Sequence, residues 1–227
     1  MKNLMVSNRA LAAVILTAAI GFALGAYFYP GLPDSIPTHW GLDGEINGYM
    51  DKSIAIYLMP MLLLVLGLFF VILPVLDPLR KNYEAFMPYF EGFIVLFSVF
   101  MLYIHVLTIL AGLGFEIKMN FMLLPALAFL FLYLALLMRK SKRNWFIGIR
   151  TPWTLSSDSV WEKTHRFGSY CFAVAAILMF FLAFFEGTAA SVAMTLSIMI
   201  AALAPVIYSY LAWREEQKPK GKKPAWK

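Results

Sequence analysis

Few residues of this chain could do chemistry, and they fall in three places. His39 sits among Asp34, Asp43, Glu45 and Asp51 in a stretch punctuated by Pro and Gly. Imidazole and carboxylates together could bind a metal or exchange protons as general acid and base. A single histidine, with acids at no diagnostic spacing, favours instead a rigid recognition surface. That surface would display Ile36, Trp40 and Tyr49 at the membrane edge. The second place is His105, about 4 Å from the centre of a long apolar run at roughly 1.5 Å rise per residue. Ionisable groups so deep in an apolar segment are rare and often functional. The other reading is a neutral imidazole hydrogen-bonded to a neighbouring helix. The third place is the segment holding Gly148, Arg150, Thr151, Pro152, Trp153, Thr154, Asp158 and Trp161. Arg150 could grip a lipid phosphate or cap helix carbonyls. Trp145, Trp153 and Trp161 could form an interfacial belt or a docking surface for a cytosolic partner. Asp158 could cap a helix or pair with Arg150 or Arg166. There is no nucleophile elbow, no zinc-protease motif and no phosphate loop, and His165 alone does not make a triad. Cys171 is the only cysteine, so neither an intrachain disulfide nor a paired-thiolate metal site can form. No cofactor is implied.

The elements that must position these residues are apolar runs. Six of them, Ala10–Tyr29, Ile54–Leu76, Gly92–Leu113, Phe121–Met138, Tyr170–Phe185 and Val192–Leu211, make up most of the 227 residues. About 20 apolar residues in a helix cross a hydrocarbon core of about 30 Å. Hydrophobic residues are 61% of the chain and charged ones 14%, against about 25% charged in a soluble domain. The runs lack barrel-strand alternation, so helices are the way to satisfy the backbone in lipid. The fold class expected is all-α: a polytopic membrane protein, a six-transmembrane-helix bundle. One domain should cover residues 1–212, with a basic tail at 213–227. The first run is longer than a signal-peptide core of roughly 7–15 residues, which points to a retained helix.

The net charge of +6 could suggest nucleic acid, but its distribution does not. Across the segments before, between and after the runs, Lys and Arg number 17 in one alternating set and 2 in the other. That is the positive-inside pattern, and it places both termini in the cytoplasm. Orientation and attraction to anionic lipid account for the charge, so no direct nucleic-acid binding is expected and the bilayer is the expected partner. The loop Pro30–Ser53 then faces outside and reads as a compact series of turns. The loop Arg139–Ser169 faces inside. Within it, 145–155 suggests an extended or looped segment. Ser159 and Glu162 fit a capping box that opens a short helix to about Phe167, running into the fifth span. Pro60 and Pro74 should kink or break the second span.

Two stretches carry a family resemblance. Leu32-Pro33, Ile36-Pro37, His39-Trp40, Gly44 and Gly48-Tyr49 resemble the domain of unknown function DUF1648, over about residues 10–76. Ile147 to Leu155, with Asp158, Val160-Trp161 and Arg166-Phe167, resemble the signature of the SdpI family, over about residues 121–212. The resemblance implies an integral membrane protein, not an enzyme, that confers immunity to a secreted membrane-active peptide toxin. It also implies a signal receiver that captures a cytosolic ArsR-type repressor at the membrane. Toxin recognition would fall to the outside loop, through His39, Trp40, Gly44, Gly48 and Tyr49. Two other functions fit a six-span bundle: a transporter or flippase of a small amphiphile, dependent on His105, and a membrane-embedded enzyme built around His39 and an acid.

Overall fold

The computed structural model describes residues 6–185 and 187–218. The helices are α1 (Asn8–Phe28), α2 (Lys52–Leu76), α3 (Met87–Gly112), α4 (Met119–Lys140), the short α5 (Pro152–Ser156), α6 (Asp158–Leu182) and α7 (Thr188–Glu216). Among the described residues, all but α5 are long and apolar enough to cross a bilayer. The chain is a multi-pass membrane protein, with one apolar run in each long helix. Glu186 of the fifth loop, and the basic tail from 219 onward, lie outside the described residues.

Helices α1, α2 and α3 pack on one another, α6 packs between α4 and α7, and α3 meets α4 to join the two sets. The buried stripe of α1 is Ala10, Val14, Ala18, Gly21 and Gly25, three or four residues apart as one helical face requires. Small residues on that stripe let helix axes approach closely, which strengthens dispersion contacts where lipid offers no hydrophobic drive. The opposite faces carry large apolar side chains outward, such as Leu16, 62% exposed, and Phe181, 60% exposed. In water such patches would be liabilities; here they are the lipid-facing surface. Pro60 and Pro74 do not end α2, which runs on to Leu76.

Two elements differ from the sequence reading. The first loop is not only turns. It folds as an antiparallel hairpin of β1 (Ser35–Trp40) and β2 (Ile46–Asp51). Ile36, expected at the membrane edge, is 0% exposed. It plugs the end of the bundle against Gly112, where a Cβ would lie 2.9 Å from Leu32 and 3.0 Å from Ile36. The second difference is at α6. Its cap is Ser157, whose Oγ accepts from the Val160 amide at 3.3 Å, not Ser159. The helix expected from about Ser159 to Phe167 is the first part of α6, which runs unbroken from Asp158 into the span. Asp158 then falls in the first turn, where a negative charge meets the positive end of the helix dipole.

Candidate functional site

The polar residues collect at the two ends of the bundle. At one end lies the hairpin. Asp51 caps α2, its carboxylate accepting from Ser53 at 2.8 Å (amide) and 2.5 Å (hydroxyl). Those bonds hold Asp51 below the usual carboxylate range. Lys52 Nζ donates to the Leu32 carbonyl at 2.9 Å and faces Asp34 at 3.3 Å. The tip is tied at Leu42, whose carbonyl accepts from Asn120 Nδ2 at 3.1 Å and from Ser191 Oγ at 2.6 Å. These donors begin α4 and α7, so the hairpin reaches from the α3 end across to two helices of the other set. Gly44 sits in the turn with φ +84°. Gly48 pairs with His39 across the strands. His39 is exposed and its Nδ1 meets Asn47 Oδ1 at 2.5 Å. Tyr49 is exposed and Trp40 half-buried. Among the described residues, no three His, Cys, Asp or Glu side chains converge as a metal set.

His105 lies between the two ends. It is buried, and its Nε2 meets the Gly21 carbonyl of α1 at 3.0 Å. Its contact is therefore with a neighbouring helix, and it binds α3 to α1.

At the other end, the loop between α4 and α6 is organised by backbone-directed side chains. Asn144 is the first hub. Its Oδ1 accepts from the amides of Phe146 at 3.0 Å and Ile147 at 2.6 Å, and its Nδ2 donates to the carbonyls of Lys142 at 2.9 Å and Ile147 at 3.1 Å. Asp77, at the end of α2, accepts from the Trp145 amide at 2.9 Å and from Tyr83 at 3.3 Å. Burial, then the Asp77 carboxylate, pushes the Tyr83 phenol up, so it stays a protonated donor. Asp77, Tyr83 and Asn144 are buried and lock two loops together.

His165 is the second hub. Its Nε2 accepts from the Ile149 amide at 3.0 Å, so Nδ1 carries the proton and donates to the Trp161 carbonyl at 2.8 Å. The ring stacks on Trp161 at 3.9 Å between centroids, and the Trp161 indole donates to Ser141. Gly148 has φ +103°, and a Cβ there would collide with His165 Nε2. Glycine is needed for both reasons. Thr151 and Thr154 form the capping box of α5, and Thr151 also bonds Ser209 of α7 at 3.0 Å. The capping box thus stands eight residues before the expected one, and part of the 145–155 stretch is helical.

The structure brings together Gly148, Thr151, Thr154 and Trp161 in this knot. Pro152 opens α5 from an exposed position. Arg150 faces outward, with Nη1 donating to the Trp145 carbonyl at 3.1 Å. Trp153 is half-buried against Tyr210, and Trp145 is exposed. Asp158 pairs with Arg143 at 2.8 Å, rather than with Arg150 or Arg166. Sequence reading missed Asp77, Tyr83, Asn144 and the role of His165. One signal existed: His165 lies one helical turn from Trp161, on the same face.

Against known proteins, residues 140–209 match the SdpI/YfhL protein family and residues 16–64 match the domain of unknown function DUF1648. The chain is 24% identical over 196 residues to the immunity protein SdpI of Bacillus subtilis (strain 168), covering 86% of this chain and 92% of that one. No solved structure matches.

Proposed function

Because residues 140–209 match the SdpI/YfhL family and residues 16–64 match DUF1648, we propose that the chain is an SdpI-family membrane protein that protects its cell against a secreted, membrane-active peptide toxin. The observation that carries this reading is the end-to-end likeness to an immunity protein, which spans nearly all of both chains. The hairpin is the recognition element. It is held at both ends, caps both helix sets, and turns His39 and Tyr49 outward. A toxin approaching through the outer leaflet meets this surface first, given the positive-inside orientation with both termini cytoplasmic. Residues 1–212 act as one membrane domain and 213–227 as a cytoplasmic tail. The loop from Arg139 to Ser157 serves the inner face. Arg150 and Trp153, left outside the His165 knot, offer a guanidinium and an aromatic to a cytosolic repressor of the ArsR type. This reading assigns the protein no catalytic step.

The test is survival. A sensitive bacterium expressing the chain is challenged with a panel of secreted peptide toxins, beside an empty-vector strain. Protection against at least one toxin supports the reading. Equal killing across the panel, at verified membrane abundance, overturns it.

A further inference from the structure

We propose that the face shared by α4 and α6 holds one anionic phospholipid, its phosphate in a basic cleft and an acyl chain in an apolar groove below. The cleft, about 590 Å³, opens at the Arg139 end of α4. Arg139, Lys142, Arg143 and Arg166 line it, against Asp158 and Glu162. Asp158 is engaged with Arg143, so Arg139, Lys142 and Arg166 remain as the cations facing the opening. Arg139 lies 5.7 Å from the Tyr170 ring and donates to its hydroxyl at 3.5 Å. A tyrosine so placed belongs at headgroup depth.

The groove, about 190 Å³, is on the same two helices. Its floor is Ala128, 2% exposed, and Ala176, 0% exposed; its rim is Phe129 and Phe181, 61% and 60% exposed. Small residues below and large ones beside make a slot open to lipid. Helical phase puts cleft and groove on one face. At roughly 100° per residue, Ala128, Leu132 and Arg139 fall within about 40° around α4, and Glu162, Arg166, Ala176 and Phe180 within about 80° around α6. Arg139 is ten residues from Phe129, roughly 15 Å along the axis, a distance that carries a glycerolipid from phosphate into its acyl chains. A soluble phosphate ester would use the cleft alone. The groove's alignment with it along the same two helices selects a lipid, and the cations select an anionic one.

Native mass spectrometry of the full chain in neutral detergent tests this, titrating phosphatidylglycerol, phosphatidylcholine and glycerol 3-phosphate separately. One phosphatidylglycerol per chain should be retained, at about tenfold lower concentration than phosphatidylcholine, and glycerol 3-phosphate should not be. R139Q/R166Q, with helicity unchanged, should erase the preference between the two lipids, while Lys81→Gln should keep it. F129A/F181A should weaken retention of both lipids and leave the preference. Equal retention of the two lipids by the unmodified chain overturns the proposal, as does a preference that survives R139Q/R166Q. Glycerol 3-phosphate binding as tightly as phosphatidylglycerol, or unaltered retention by F129A/F181A, shows a phosphate site without a lipid and overturns it as well.

Discussion

His165 shows how one side chain sets the course of a loop. Both ring nitrogens bond backbone groups, the Ile149 amide and the Trp161 carbonyl, and the residue is 1% exposed. A buried amide that loses its acceptor costs about 1–3 kcal/mol. His165→Phe keeps the stacking on Trp161 and removes both bonds. It should therefore lower the thermal unfolding temperature in detergent, with Arg150→Ala as the comparison. The Arg150 bond is exposed, and its loss should change stability by less than about 0.5 kcal/mol. Equal unfolding temperatures for the two variants would show that the His165 bonds hold nothing. The sequence alone marks Gly148, Thr151, Thr154 and Trp161 as a group but is silent on why. Asn144 and Asp77 look like ordinary loop residues in one dimension. They become hubs only because the loop that follows α2 and the loop that follows α4 meet at one end of the bundle.

At the scale of elements, the long helices are legible because lipid leaves one solution for 20 apolar residues. The hairpin is harder to read. Pro37 within β1 argues against a strand, since proline cannot donate to the ladder. A two-stranded hairpin consists only of edges, so Pro37 costs no needed bond. The signal that was present is Asp43-Gly44, a turn pair with Gly44 at positive φ. At α6, Ser157 and Ser159 both stand where a cap could form. Ser157 adds Asp158 to the first turn, and its hydroxyl also donates to Glu216 of α7 at 3.0 Å. The tethers of the hairpin tip lead to a prediction at this scale. N120A/S191A removes both donors to the Leu42 carbonyl and leaves Ile36 in its socket. Hydrogen exchange at residues 41–47 should rise, while exchange in α1–α3 stays as it was. If the tip exchanges no faster, the two bonds are not what anchors it.

For the whole molecule, orientation comes first. The 17-to-2 division of Lys and Arg predicts the proposed orientation, with the hairpin outside and the Arg139–Ser157 loop inside. In a Cys171→Ser background, a membrane-impermeant thiol reagent applied to intact cells should label Ser35→Cys and not Lys81→Cys. Both positions are exposed at opposite ends of the bundle. The reverse pattern would turn the protein over and exchange the two proposed roles.

The proposed division of labour is also tested at this scale. Helix α2 has 25 residues, roughly 37 Å at 1.5 Å per residue, so neither polar end can touch what binds the other. Substituting His39 or Tyr49, exposed on the hairpin, should weaken toxin resistance and any toxin-triggered signal together. Recognition precedes both. Arg150→Ala and Trp153→Ala leave the Asn144 and His165 bonds in place, so the inner loop stays folded. They should impair capture of a cytosolic repressor and spare resistance. His165→Phe separates bracing from docking, because a loop that merely braces helix ends would fail with loss of protein from the membrane. The readouts are survival and induction of a repressor-controlled reporter, each normalised to membrane abundance. Arg150→Ala and Trp153→Ala losing resistance as fully as the hairpin variants, at normal abundance, would show that the two ends act as one unit.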